Sequence, residues 1–149
     1  MTIEQEKQLK YDTLYMDLAS RVALMSYARR KQVGCIIIKD TQIISHGWNG
    51  TPSGDSNDCE HVLEDGTMIT KPEVLHAEEN ALDKLTKSTF GSENAIMYLT
   101  VSPCLPCAKR IQNSGIKEVV YKEYYPQNSQ GDGVPYLIGH NVKVRLFNY

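Results

Sequence analysis

With 149 residues and a formal charge of −2, the chain is long enough to bury a hydrophobic core without covalent staples, and it lacks the strongly basic balance of a dedicated nucleic-acid binder. Its four cysteines exclude the dense disulfide framework of a small secreted domain. No apolar run approaches the roughly 20 residues that cross a bilayer, and the polar start MTIEQEKQLKYD has none of the apolar stretch of a secretory signal, so the expectation is a soluble, cytoplasmic protein that acts on a small molecule.

No repeat, low-complexity tract or Pro/Gly/Ser-rich linker interrupts the chain, and residues 1–149 read as one domain. Asp12 is a candidate N-cap, and Leu14, Leu18, Val22 and Met25 recur behind it at helical spacing, predicting a helix over about 13–29 with that stripe in the core. The run Arg29, Arg30 and Lys31 either meets phosphate or sits as the solvated end of that helix. VGCIIIK and QIISHGW are rich in β-branched residues and flank a turn at Asp40 and Thr41, so they predict a hairpin with Cys35 and His46 as core positions. From Asn49 to about Leu75 the chain is polar, with glycines and prolines, and reads as a long functional loop. Within it GWNGTPSGDSN is either a nest of backbone N–H groups for oxygens or an ordinary surface turn. Beyond the loop, residues from about His76 to Thr86 predict a helix, AIMYLTV a buried strand, Leu105 to Asn113 a helix, EVVYK a strand and NVKVRLFNY a final half-exposed strand. His140 falls outside every motif. Helices alternating with strands after an opening hairpin imply an α/β layered fold around a mixed sheet.

The chemistry concentrates in two short stretches. In SPCLPC, Cys104 and Cys107 form a C-x-x-C pair, which admits a redox dithiol, a haem attachment or half of a zinc site. Haem attachment needs a histidine next, and Ala108 stands there. A dithiol remains open, because the pair begins a helix after a strand, where a thiolate is favoured. Upstream, LHAEENAL places His76 and Glu78 at another predicted helix start. A catalytic zinc takes three protein ligands and keeps one position open. His76, Cys104 and Cys107 supply that set, the two helix ends favour thiolates, and Glu78 is a spare carboxylate.

HAE followed by PCLPC matches the H-x-E and P-C-x-x-C pattern of zinc nucleobase deaminases. From about Val33 to Tyr125 the sequence resembles the cytidine and deoxycytidylate deaminase superfamily. The resemblance implies a three-layer α/β/α fold with a central mixed sheet of about five strands, one catalytic zinc held by His76, Cys104 and Cys107, and Glu78 as the proton carrier in a hydrolytic deamination. It further implies that the Ala77 N–H holds the base carbonyl and the Ser102 carbonyl the exocyclic amine. GWNGTPSG, HAEENA, PCLPCAK and SGIKEVVY are closest to deoxycytidylate deaminases, which implies dCMP as substrate, dUMP for thymidylate synthesis as product, Asn49 on the deoxyribose hydroxyl and an aromatic, Tyr125 or its neighbour Tyr124, beside the substrate. The same resemblance implies a homohexamer activated by dCTP and inhibited by dTTP with Mg2+, with Asp55 and Asn57 as the regulatory residues. Some relatives carry a second, structural zinc; here SYARRKQVG contains no cysteine, which leaves Cys59 and His61 as ordinary loop residues. The rival readings are a deaminase of cytidine, deoxycytidine or tRNA adenosine, a zinc-stabilised binding module, and the redox dithiol.

Overall fold

The computed structural model describes residues 1–148. The first element, α1 (Ile3–Ala23), starts earlier than the apolar spacing predicts. Thr2 accepts a hydrogen bond from the Gln5 backbone N–H at 3.1 Å, and the Gln5 side chain accepts from the Thr2 N–H at 2.9 Å. This reciprocal pair satisfies two of the donors that a helix start leaves open. Asp12 is therefore no cap but a buried mid-helix residue, and the helix ends at Ala23.

The buried face of α1 also differs from the predicted stripe. Asp12, Tyr15, Met16, Ala19 and Ala23 face the sheet, while Leu14 and Met25 are exposed. A charged residue on the inner face hides that face from a hydrophobicity pattern. Tyr98 donates to the Asp12 carboxylate at 2.5 Å, and Arg145 donates to both its oxygens at 2.8 and 3.1 Å. Burial pushes this carboxyl's pKa up, but the bonds from Arg145, Tyr98 and Gln8 outweigh it and hold the group below its ordinary value.

Strands β1 (Gly34–Lys39) and β2 (Gln42–Trp48) form the expected hairpin. Asp40 and Thr41 both have positive φ, 51° and 63°, as a tight two-residue turn of primed type requires. His46 is exposed on β2 rather than a core residue, because the side chains of an edge strand alternate between the packed and open faces. The loop that follows carries two short paired strands that the sequence pattern does not announce, β3 (Glu60–Val62) and β4 (Met68–Thr70). Next come α2 (Ala77–Leu85), β5 (Ile96–Val101), α3 (Leu105–Asn113) and β6 (Glu118–Glu123), all close to their predicted bounds. A further helix, α4 (Val134–Gly139), too short for apolar periodicity to reveal it, precedes β7 (Lys143–Leu146). Tyr149, which ends the stretch predicted as the final strand, lies outside the described residues.

The five-stranded sheet has the order β2-β1-β5-β6-β7, antiparallel on the hairpin side and parallel across β5, β6 and β7. Alternate residues of each inner strand serve opposite layers. Ile36, Ile38, Tyr98 and Val120 meet α1, whereas Cys35, Ile37, Met97, Leu99 and Val119 pack under α2, α3 and α4. The architecture is thus three-layered α/β/α with a mixed sheet. Gly47 lets α2 sit directly on β2: a Cβ there would lie 2.4 Å from the Ala77 carbonyl oxygen. Among the described residues no helix is long and apolar enough to cross a membrane.

Candidate metal centre and adjoining cavity

Both sequence stretches become helix starts. His76 occupies the N-cap position of α2 with an extended backbone, and its N–H donates to the Glu79 carboxylate at 3.0 Å. Glu79 also pairs with Arg110 on α3 at 3.3 Å, which ties the start of α2 to α3. Cys104 is the N-cap of α3, immediately beyond β5, and Pro106 lies in the first turn, where its missing N–H has no helical partner to lose. The two helix starts therefore meet beyond the carboxyl end of β5, where open α/β sheets place their ligands.

His76, Cys104 and Cys107 converge there, with donor atoms all within 4.8 Å of one another. His76 Nδ1 lies 3.2 Å from Cys107 Sγ and 3.5 Å from Cys104 Sγ. A tetrahedral zinc with its usual Zn–N and Zn–S lengths needs nitrogen and sulfur about 3.5 Å apart, so this donor set fits that ion. Among the described residues it is the one cluster of three or more metal-competent side chains. All four cysteines are free thiols rather than disulfides.

The protons of the cluster are redistributed by its own contacts. Cys104 is pulled down to about 5, first by the hydrogen bond from Cys107 and then, against burial, by His76. His76 is raised to about 9, mainly by its hydrogen bond with Cys104, and Cys107 is raised by the bond it makes to Cys104 and by burial. These contacts favour the thiolate at Cys104 over Cys107, and a cation that takes all three donors displaces the protons that Cys107 and His76 hold. Glu78 lies alongside, 4% exposed, and burial raises its carboxyl to about 7. A carboxyl in that range takes and returns protons at neutral pH, and a divalent ion beside it favours its charged form.

A cavity of about 280 Å³ opens onto this centre. Asn49, His76, Ala77, Glu78, Ser102 and Tyr125 of the sequence-derived set all line it. Asn49 is held rigidly: its Oδ1 accepts from the Val33 N–H at 2.9 Å and its Nδ2 donates to the Lys31 carbonyl at 2.8 Å. Ser102 Oγ accepts from the Tyr125 N–H at 2.7 Å, which couples the end of β5 to the segment after β6. Tyr125, not Tyr124, is the aromatic at the cavity; Tyr124 points outward and hydrogen-bonds Asp132.

Asp55 and Asn57 lie in an exposed turn and are not cavity residues. Cys59 is buried against Ala28 and Val74 and borders the cavity, whereas His61 is exposed on β3. The cationic run is not a helix end: α1 stops before it, and Arg30 and Lys31 form part of the cavity wall. Glu60, Thr70 and Asn128 also line the cavity without having been singled out by motif. The buried carboxylate of Glu60 carries no local pattern in the sequence, since its partners lie some thirty residues away.

This fold and this donor set are those of a zinc-binding α/β/α domain, and the chain belongs to the cytidine and deoxycytidylate deaminase family, whose zinc-binding region matches residues 9–123. Within the family it is similar to the deoxycytidylate deaminase of Schizosaccharomyces pombe, 36% identical over 126 residues that make up 80% of this chain and 39% of that protein. The Saccharomyces cerevisiae deoxycytidylate deaminase is 32% identical over 157 aligned positions, 98% of this chain and 49% of the yeast protein. The chain therefore spans less than half the length of these two relatives. The crystal structure of dCMP deaminase from the cyanophage S-TIM5 in complex with dCMP and dUMP superimposes with a TM-score of 0.82 at 39% identity, covering 99% of both chains.

Proposed function

We propose that residues 1–149 form a single deaminase domain that converts dCMP and water to dUMP and ammonia. The observation that carries this reading is the convergence of the half-buried His76 with the buried Cys104 and Cys107, beside Glu78, at a cavity of mononucleotide scale. The names of the yeast relatives and the nucleotides in the cyanophage complex support the choice of substrate.

His76 Nδ1 and the two thiolates would hold one zinc, which supplies a Lewis acid that makes water nucleophilic near neutrality. Glu78 accepts one proton of the attacking water and delivers it to the ring nitrogen of the pyrimidine; it then takes the remaining proton from the hydroxyl added at C4 and gives it to the amine, so that the C4–N bond breaks, ammonia leaves and the C4 carbonyl forms. Its burial keeps that proton off bulk solvent. The Ala77 N–H, in the first turn of α2 where helix donors have no internal partner, binds the base carbonyl. The Ser102 carbonyl, at the end of β5, accepts from the exocyclic amine. Asn49 retains one N–H and one lone pair beyond its two backbone bonds and offers them to the deoxyribose hydroxyl. The Tyr125 ring flanks the substrate.

Regulation belongs to the same reading: dCTP activates and dTTP inhibits, with Mg2+ carried by the regulatory nucleotide, in a homohexamer whose exposed turn bearing Asp55 and Asn57 meets the effector. Its support is the family resemblance together with the exposure of that turn. The test follows ultraviolet absorbance of the zinc-loaded protein with dCMP, deoxycytidine, cytidine and adenosine-containing tRNA, with and without dCTP or dTTP plus Mg2+. Turnover of dCMP above all others is expected. Equal turnover of deoxycytidine and dCMP overturns the nucleotide assignment, and an unchanged rate with both effectors overturns the regulatory one.

A further inference from the structure

Each helix that carries a metal-competent donor also carries a charged side chain one turn beyond it. On α2 this is Glu79, in the turn after His76, and on α3 it is Arg110, in the turn after Cys107. Residues one turn apart share a helix face, so the two side chains lie over the same seam as the donors. The Glu79 carboxylate is divided between the helices. Its Oε1 accepts from the His76 N–H at 3.0 Å, and its Oε2 lies 3.3 Å from Arg110 Nη1. The backbone of one donor residue is thus joined, through a single carboxylate, to the helix that holds the other two.

Open space borders this link on both sides. A cavity of about 260 Å³ lined by His76, Glu79, Cys107 and Arg110 lies toward the helix starts. Another of about 260 Å³, with Thr86, Phe90 and Ser114 in its wall beside Arg110, lies toward the helix ends. Apolar packing between α2 and α3 runs deeper, through Ala81, Leu82, Ala108 and Ile111. Glu79 and Arg110 do not line the cavity that holds Glu78, so neither meets a substrate there. The Arg110 side chain is half exposed, and an ion pair in that setting contributes little to global stability. Its consequence is positional, because metal–donor distances tolerate only about ±0.2 Å and the donors come from two separate helices.

We infer that Glu79 and Arg110 are positioning residues that fix the spacing between His76 and the two thiols, and thereby set how tightly zinc is retained. The inference rests on the proposed zinc centre and adds residues that act on the ion without touching it. Glu79 acts through the His76 backbone, and Arg110 acts through Glu79. Asp83 supplies a comparison within the same seam: its carboxylate also faces Arg110, at 3.7 Å, but it stands a turn further from His76.

Zinc dissociation constants of the parent and its variants, measured by competition with a chromogenic chelator, provide the test, with visible spectra of the cobalt-substituted proteins beside them. Glu79→Gln keeps an oxygen for the His76 N–H, since glutamine also serves at this capping position, but gives up the charge that faces Arg110. Glu79→Ala gives up both. Glu79→Ala is expected to weaken zinc about tenfold, the lower end of what outer-shell changes cost, and Glu79→Gln and Arg110→Met about three- to fivefold each. Combining Glu79→Gln with Arg110→Met is expected to cost less than the product of the two, since both break one contact. Arg110→Lys should recover part of the loss, and Asp83→Asn should leave zinc affinity unchanged. The thiolate-to-cobalt absorption bands should shift in Glu79→Ala and stay in place in Asp83→Asn, whereas a merely stabilising ion pair would move the melting temperature and not these bands. If Glu79→Ala does not fold, Glu79→Gln and Arg110→Met decide against Asp83→Asn. Parental zinc affinity in both, or an equal loss in Asp83→Asn, overturns the inference while leaving the zinc centre standing. A parent protein that binds no zinc overturns the underlying reading, and this inference with it.

Discussion

Substituting Gly133 by alanine isolates the packing that holds the thiol ligands. Gly133 has an ordinary right-handed backbone, φ −84° and ψ −14°, so alanine strains no dihedral angle there. Its Cβ, however, would lie 2.5 Å from the Cys104 carbonyl oxygen, 2.7 Å from the Pro103 carbonyl oxygen and 2.7 Å from the Ala108 Cβ. The first contact falls about 0.9 Å short of the 3.4 Å at which ordinary packing begins. Two of these three atoms are backbone on the loop that carries Cys104, and the Gly133 N–H itself donates to Pro103 at 2.9 Å. Even if both sides yield equally, the Cys104 backbone must shift by about 0.5 Å, beyond the ±0.2 Å that metal–ligand distances tolerate. Overpacking of this kind costs about 2 kcal/mol, which lowers the melting temperature by roughly 5 °C in a domain of this size. Metal content after dialysis against a weak chelator, read by atomic absorption, is the primary assay, with thermal melting beside it. Substoichiometric zinc in a folded variant is expected. A variant that keeps one zinc per chain, melts like the parent and deaminates at the parental rate refutes the claim that this close approach sets the Cys104 position.

Glu78→Gln should bind zinc normally yet lose about 10²–10⁴ in turnover, the usual worth of general acid–base catalysis; parental turnover would remove Glu78 from the proton path. Arg145→Met leaves the Asp12 carboxylate buried without its cation and should destabilise the fold by about 3 kcal/mol in urea titrations near neutrality. Because the folded pKa of Asp12 is depressed, its share of stability is complete above the unfolded carboxyl value and disappears as pH falls through the folded one. The gap between parent and variant should therefore close in acid, and a gap constant with pH would count against the ion pair. Removing the metal with a strong chelator should expose a thiol that reacts with disulfide reagents already at pH 6, since the bonds from Cys107 and His76 pull the Cys104 thiol well below the ordinary thiol range. Zinc should mask it, and slow modification with and without metal would contradict the assigned thiolate.

How much was legible in the sequence differs between elements for physical reasons. The strands and helices from β5 to β6 follow their predicted bounds because each is built from a local apolar period and a local start signal. In α1 the inner face carries Asp12, whose burial is affordable only through Arg145 from the last strand and Tyr98 from the middle of the sheet. A pattern that scores charge as outward therefore rotates the helix and mistakes its cap. His46 fails in the same way, as its side depends on which strand is the edge. The two short strands in the long loop and α4 are too brief for periodicity, and they exist because they pack against distant segments.

For the site, residue type and short spacing were sufficient to single out His76, Glu78, Cys104 and Cys107, which the fold gathers at one place. A histidine, two thiols three positions apart and a carboxylate two residues from the histidine carry their coordination and acid–base chemistry wherever they stand. What folding alone decided is that two helix starts 28 residues apart bring those donors to one point, that the Arg29 to Lys31 run forms a cavity wall, and that Glu60 grips it. Ligand chemistry is local to a side chain, whereas convergence and burial arise from contacts between segments far apart in the chain, and no local pattern encodes those.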